Sequence, residues 1–206
     1  MAIGLGFSSR SSKVLRLLVV SSPRFEECSD LEAFLKGFEG IVVLCGDLSH
    51  CYEVIHCCRP GKCVAITSLL SDVYEVKALR ELGVLAMGKW LEAEGACFGG
   101  IDARNVSQCI ELLSRGSCEG IRIALSTQRL GYDSVVGWPR APDVCKALGA
   151  RILIVCGCSE PCAEPRVVSV DECVVVEACC RPITLIEVAK GEGLSVKARC
   201  IEIAKS

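Results

Sequence analysis

Histidine, methionine and aromatic residues are all scarce in this chain. Only two histidines (His50 and His56) and two methionines occur in 206 residues, and aromatics make up 5%. Two histidines exclude any multi-histidine metal centre. With so few rings, a core must come from Val, Leu, Ile, Ala and Cys. Charge of one sign is also lacking: 23 basic against 25 acidic residues leave a net charge of −2. That balance excludes a strongly basic nucleic-acid binder, and the 51% hydrophobic content excludes a disordered chain. No apolar run approaches the roughly 20 residues of a membrane helix. Residues 1–13 form a lead-in with the polar stretch Ser8–Lys13 and no signal-peptide pattern behind it. The expectations are a cytoplasmic protein with no membrane or nucleic-acid partner, and a single domain over residues 14–206.

Cysteine is the residue in excess, with 17 copies. Three readings stand side by side. Free cysteine is a good small apolar filler, which suits Cys45, Cys156 and Cys173 inside apolar runs. Intracellular disulfides occur in hyperthermophilic organisms, and the Arg-, Val- and Glu-rich composition with little Gln, Asn and Met fits such a source. Metal binding is the third. For disulfides the favoured residues are Cys51, Cys57, Cys58, Cys63, Cys162, Cys179 and Cys180, in loops and late strands. Cys45 and Cys156 are expected to stay reduced. Neighbours such as Cys57 and Cys58 are not expected to bond to each other.

Periodicity predicts alternating strands and helices over the first two-thirds. Val14–Val20, Ile41–Cys45, Cys63–Thr67, Ala96–Gly99, Ile121–Ser126 and Ile152–Cys156 read as strands, and Leu17–Val20, Ile41–Leu44, Cys63–Ile66, Ile121–Leu125 and Ile152–Val155 are expected to be central and largely buried. Between them fall helices opening at Ser29, in a Ser29–Glu32 capping box, and over Asp72–Leu82, Asn105–Arg115 and Pro142–Leu148. Gly83, Gly116 and Gly149 stand at helix ends. The last fifty residues read as a meander: Arg166–Val170, Cys173–Glu177, Thr184–Val188, and an alternating strand from Leu194 to Cys200 after a turn at Lys190–Gly193. The class is α/β with mixed sheets.

Nucleotide-binding and esterase signatures are absent: there is no Walker loop, no Gly-x-Gly-x-x-Gly after a strand, and no Gly-x-Ser-x-Gly elbow. Cys109 to Arg115 and Cys145 to Arg151 have the spacing of a cysteine-phosphatase loop, but one lies within a predicted helix and the other spans a helix end. The informative residues follow the strands: Ser21-Ser22-Pro23-Arg24, Gly46-Asp47-Leu48-Ser49-His50, Thr67–Asp72, Ser126-Thr127-Gln128 and Gly157-Cys158-Ser159-Glu160.

This order of strand-end turns resembles the calcineurin-like metallophosphoesterase family, from about Val14 to Ile203. The resemblance implies a two-sheet β-sandwich flanked by helices (αββα). It also implies two metal ions that activate water against a phosphoester. Position by position, however, the metal ligands are mostly replaced. Ser22 and Arg24 stand for the family's first Asp and His, and Thr127 for its single His. Cys158 and Glu160 stand for the two histidines of Gly-His-x-His. Asp47, in Leu-Cys-Gly-Asp-Leu, alone matches, at the place of the metal-bridging carboxylate. Arg24 brings a fixed positive charge, able to pair with Asp47 or to bind an anion.

No cofactor is therefore expected. The alternative is a single zinc or manganese ion on Asp47, His50, Cys158 and Glu160, a donor set that zinc accepts. His56, Cys57, Cys58 and Cys63 form a second Cys/His cluster without a zinc spacing. The leading functional expectation is a catalytically inactive metallophosphoesterase-like protein, serving as a binding or assembly module through a protein partner or self-association. The alternatives are a phosphomonoesterase or phosphodiesterase with a reduced metal site, and a thiol-redox protein using Cys156-Gly157-Cys158 or Cys158-x3-Cys162.

Overall fold

Two mixed sheets stack face to face, with helices on both outer surfaces. The computed structural model describes residues 14–102, 104–128, 139–156, 163–178, 183–191 and 193–203. The first sheet holds β1 (Val14–Ser21), β2 (Ile41–Gly46), β3 (Cys63–Thr67), β10 (Ile183–Lys190) and β11 (Leu194–Ile201), in the order β11-β10-β1-β2-β3. The second holds β4 (Trp90–Ala93), β5 (Ala96–Ile101), β6 (Ile121–Ser126), β7 (Ile152–Val155), β8 (Arg166–Val170) and β9 (Cys173–Glu177), in the order β4-β5-β6-β7-β9-β8. β1-β2-β3 and β5-β6-β7-β9 are parallel, and the other ladders are antiparallel.

Parallel strands covered on both faces have no solvent side, which is why they read as unbroken apolar runs. Alternate residues feed separate layers. Leu17, Val19, Ile41, Val43, Ile123, Leu125, Ile152 and Ile154 meet between the sheets, with Phe98 among them. Leu18, Val20, Leu44 and Ala65 face the other way, onto α1 (Cys28–Lys36), α2 (Tyr52–His56) and α3 (Val73–Glu81). Ala124, Leu153 and Val175 face α4 (Val106–Arg115) and α5 (Ala141–Leu148). This is the helix–sheet–sheet–helix sandwich expected from the sequence.

Several expectations need correction. α1 starts one residue before Ser29, and no Ser29–Glu32 capping box forms. Instead a 3₁₀ turn (Phe25–Glu27) leads into the helix, and the Arg24 N–H donates to Glu27 Oε2 at 2.7 Å. β3 is fully buried but lies at a sheet edge, not at its centre. Its free edge is covered by residues 84–86: the Ala65 N–H donates to the Val84 carbonyl, and the Ala86 N–H to the Ala65 carbonyl. Covering an edge in this way prevents pairing with another chain.

Two elements had no strong signal. Trp90–Ala93 has helix-compatible residues, yet pairs with β5 through a two-residue turn in which Glu94 and Gly95 both have positive φ (47° and 79°). That is the backbone of a tight hairpin whose twist matches its strands. α2 has only five residues and lies in a polar, cysteine-rich stretch.

Among the described residues, five cysteine pairs lie at disulfide distance: Cys28–Cys51, Cys45–Cys156, Cys58–Cys63, Cys97–Cys118 and Cys145–Cys173. Their Cα separations run from 5.3 to 6.3 Å. Cys51, Cys58 and Cys63 are paired as expected. Cys57 is free, contrary to expectation, as is Cys109. Cys162, Cys179 and Cys180 lie outside the described residues. The pairing of Cys45 with Cys156 overturns their reading as reduced filler. Both point into the layer between the sheets, one from the end of β2 and one from the residue after β7, and there they meet.

Candidate functional site

The parallel strands of both sheets end on one side of the sandwich, and the Cys45–Cys156 pair (Cα–Cα 5.9 Å) ties β2 to β7 there. In open α/β sheets, ligands gather outside the carboxyl ends of strands. The turn after β2 is built on Gly46, whose φ of +94° suits glycine. A Cβ there would lie 2.4 Å from Ser22 Oγ. This close approach lets Ser22 Oγ accept the Asp47 N–H at 3.2 Å, while the Ser22 N–H donates to the Cys45 carbonyl at 3.1 Å. Ser22 holds a strained φ of +41°.

Asp47 is half-buried, and its Oδ1 accepts the Ser49 N–H at 2.9 Å, closing an Asx turn. Arg24 does not pair with Asp47, the correction being that it is exposed and stands 3.9 Å from Glu26. His50 is exposed. Thr127, just past β6, is buried with its hydroxyl unpartnered. Cys158 and Glu160 lie outside the described residues, so the four-residue ligand set has Asp47 and His50 as its described members.

The feature missed in the sequence is a carboxyl beneath this turn. Glu75, in the first turn of α3, is fully buried. Its Oε2 accepts the Leu48 N–H at 3.1 Å, and its Oε1 lies 3.0 Å from Ser71 Oγ. Ser71 Oγ also lies 2.9 Å from the Gly46 carbonyl and accepts the Ser68 N–H at 3.1 Å. A serine has one proton to give. When that proton goes to Gly46, the Glu75 carboxyl must be the donor into Ser71 Oγ, which requires it to be protonated. Burial, foremost, and the nearby Asp47 and Asp72 carboxylates push Glu75 up to about 7, against the Leu48 and Ser71 hydrogen bonds that pull it down.

Asp72 caps α3 by accepting the Glu75 N–H at 2.7 Å and also accepts the Tyr52 hydroxyl proton. That hydrogen bond, with burial next, pushes Tyr52 up to about 12. The same hydrogen bond, with the Glu75 N–H next, holds Asp72 below the usual carboxylate range against the opposing effect of burial. The sequence carried a signal: Asp72-Val73-Tyr74-Glu75 has capping-box spacing. Here the Glu side chain turns inward to Leu48 rather than back to the N-cap.

Among the described residues two thiols are free, Cys57 and Cys109, and burial pushes both upward, away from thiolate at neutral pH. Cys57 lines a groove of about 710 Å³ with Lys36, His56 and Arg59. Strand starts such as Val14 and Cys63 border it, so it opens at the opposite end from the Asp47 turn. Cys156 is committed to Cys45 and not to Cys158, while Cys158 and Cys162 lie outside the described residues.

The fold is an α/β two-sheet sandwich of metallophosphoesterase-like architecture. No protein-family model matches the chain, and no curated protein does. Among solved structures, the protein TT1561 of Thermus thermophilus is similar. It has a TM-score of 0.59 and 12% identity, over 90% of this chain and 99% of that one. A provisionally assigned 5′-nucleotidase of Staphylococcus aureus, in complex with α-ketoglutarate, is similar with a TM-score of 0.52 and 11% identity. There the match covers 94% of this chain and 55% of the other. At these identities the likeness is one of fold.

Proposed function

We propose that this chain is a binding or assembly module on a metallophosphoesterase-like scaffold, without two-metal phosphoester hydrolysis. The observation that carries the reading is the donor set of the Asp47 turn. Two divalent cations about 3.5–4 Å apart need several anionic and imidazole ligands. At the described strand ends Ser22 spends its oxygen on the Asp47 N–H, Asp47 spends one oxygen on Ser49, and Thr127 offers a neutral hydroxyl. These residues do not fit a metal pair.

The loops around the same end favour a protein surface as ligand. Phe25, Leu69, Leu70, Val73 and Tyr74 are all strongly exposed, from 56 to 80%. They follow β1 and β3, the two strands that flank β2. A partner protein or a second copy would bury them, whereas a small phosphoester would not.

The test is elemental analysis of the purified protein together with hydrolysis of p-nitrophenyl phosphate and bis(p-nitrophenyl) phosphate in added Mn²⁺. The expected result is fewer than two equivalents of bound metal per chain and no turnover above buffer. Two equivalents of Mn, Fe or Zn per chain with Mn²⁺-dependent turnover would overturn the reading.

A further inference from the structure

The carboxylate and thiols at the other end of the second sheet form a cluster of their own. Glu92 on β4 and Cys97 on β5 face one another in the antiparallel ladder, which sets their side chains on one face. Cys118 comes from the segment between α4 and β6. One ligand atom each from Glu92, Cys97 and Cys118 lies within 4.8 Å of the others. Two oxygens are aimed at the sulfur pair. Glu92 Oε1 stands 3.5 Å from Cys118 Sγ, and the Glu119 carbonyl oxygen 3.2 Å from Cys97 Sγ. In the oxidised protein neither contact is a hydrogen bond, because a disulfide sulfur carries no proton.

Those spacings have a chemical meaning in the reduced protein. With Zn–S near 2.3 Å and Zn–O near 2.1 Å, a tetrahedral shell holds sulfur and oxygen about 3.6 Å apart, and its two sulfurs about 3.8 Å apart. The two oxygens already stand close to that distance. The Cα separation of 6.3 Å also leaves room for the sulfurs to part once their bond is cut. Cys97 is buried, Cys118 half-buried and Glu92 exposed, so an ion can enter from solvent while one thiolate is shielded from it.

We propose that Cys97, Cys118, Glu92 and the Glu119 carbonyl form a zinc site in the reduced protein, which the Cys97–Cys118 disulfide closes on oxidation. Opening takes two electrons from a dithiol, which gives up its own two thiol protons and becomes a disulfide, or from a phosphine, which becomes the phosphine oxide while water supplies its oxygen and the two protons. Either way two thiols result. Zinc then displaces both thiol protons to solvent and bonds to the two thiolates. Closing returns two electrons to a disulfide oxidant and releases the ion. The site is separate from the Asp47 turn, and its success or failure leaves the reading of that turn unchanged.

The test uses the full chain, reduced with a phosphine under argon and pulsed with iodoacetamide, with and without one equivalent of zinc. Peptide mass spectrometry then reads alkylation at each cysteine. The expected result is at least tenfold slower alkylation of Cys97 and Cys118 with zinc, and little change at Cys58 and Cys63, a pair that no third His, Cys, Asp or Glu joins among the described residues. Glu92→Gln, an exposed and conservative change, should weaken zinc binding about tenfold in a chelator competition. Equal alkylation of Cys97 and Cys118 with and without zinc overturns the proposal. So does protection spread evenly over all the thiols, or zinc affinity unchanged in Glu92→Gln.

Discussion

At the scale of single residues, Glu75 is an ionisable group buried away from water. In the folded protein it titrates at about 7, against an ordinary 4.5. Between those values the folded state binds more protons than the unfolded state, so stability falls as pH rises. The protonated form is fully favourable below about pH 4.5. The loss accumulates through about pH 7 and levels off above it. Glu75→Gln keeps an oxygen for the Leu48 N–H and supplies an amide N–H to Ser71, with no charge to bury. We expect it to match the wild type near pH 5 and to be more stable at pH 8.5 by roughly 1–3 kcal/mol. Urea midpoints across that range are the check. A difference that stays flat with pH would mean that Glu75 ionises as freely in the fold as outside it.

At the scale of elements, the cysteine pairs differ most in the length of chain they close. Cys45–Cys156 spans a sequence separation of 111, and Cys58–Cys63 one of 5. By loop entropy alone, the first contributes about 5 kcal/mol through the unfolded state and the second about 2 kcal/mol. Replacing both residues of each pair with alanine should therefore lower the thermal midpoint much more for Cys45/Cys156 than for Cys58/Cys63. Calorimetry under non-reducing conditions measures both, and equal losses would show that loop length is not the controlling quantity.

The start of α3 carries a second expectation at this scale. Leu70 and Tyr74, each 78% exposed, flank the Asp72 cap without contributing to the core. Leu70→Asp with Tyr74→Asp should leave the stability within about 0.5 kcal/mol of wild type, as surface changes do, yet weaken association with a partner or a second copy. Sedimentation velocity and co-purification distinguish the two. Association that is unchanged in the double variant would remove these residues from the contact surface.

At the scale of the whole molecule, the two sheets and their helices are one closed set of layers. No helix among the described residues is long and apolar enough to cross a membrane. Catalysis on such a scaffold depends on donors at the strand ends rather than on the scaffold itself. Asp47 is held in its turn by its N–H, which donates to Ser22 Oγ, and by its Oδ1, which accepts the Ser49 N–H. The layer between the sheets is filled mainly by Val, Leu and Ile from both of them.

The strands from Val14 to Val155 other than β4, and the meander after Arg166, were legible because burial on both faces or on one leaves a direct mark on residue order. An unbroken run such as Ile152–Val155 can satisfy its apolar side chains only inside. Leu194–Ile201, by contrast, alternates between more and less covered positions. Helix ends at Gly83 and Gly149 were legible for a local reason too, since positive φ favours glycine. Asp47 could be placed from its own turn. What no local pattern contains is which distant residues meet. Cys45 looks like apolar filler until β7 brings Cys156 across the sheet gap. Glu75 looks like a capping residue until the turn after β2 presents the Leu48 N–H to it. Cys97, Cys118 and Glu92 are ordinary until a hairpin and a helix-to-strand connection bring them together. Local sequence determined the elements, because propensity and burial act over a few residues. Only the tertiary structure decided the contacts, because they join residues tens of positions apart, and that is where the chemistry of this protein lies.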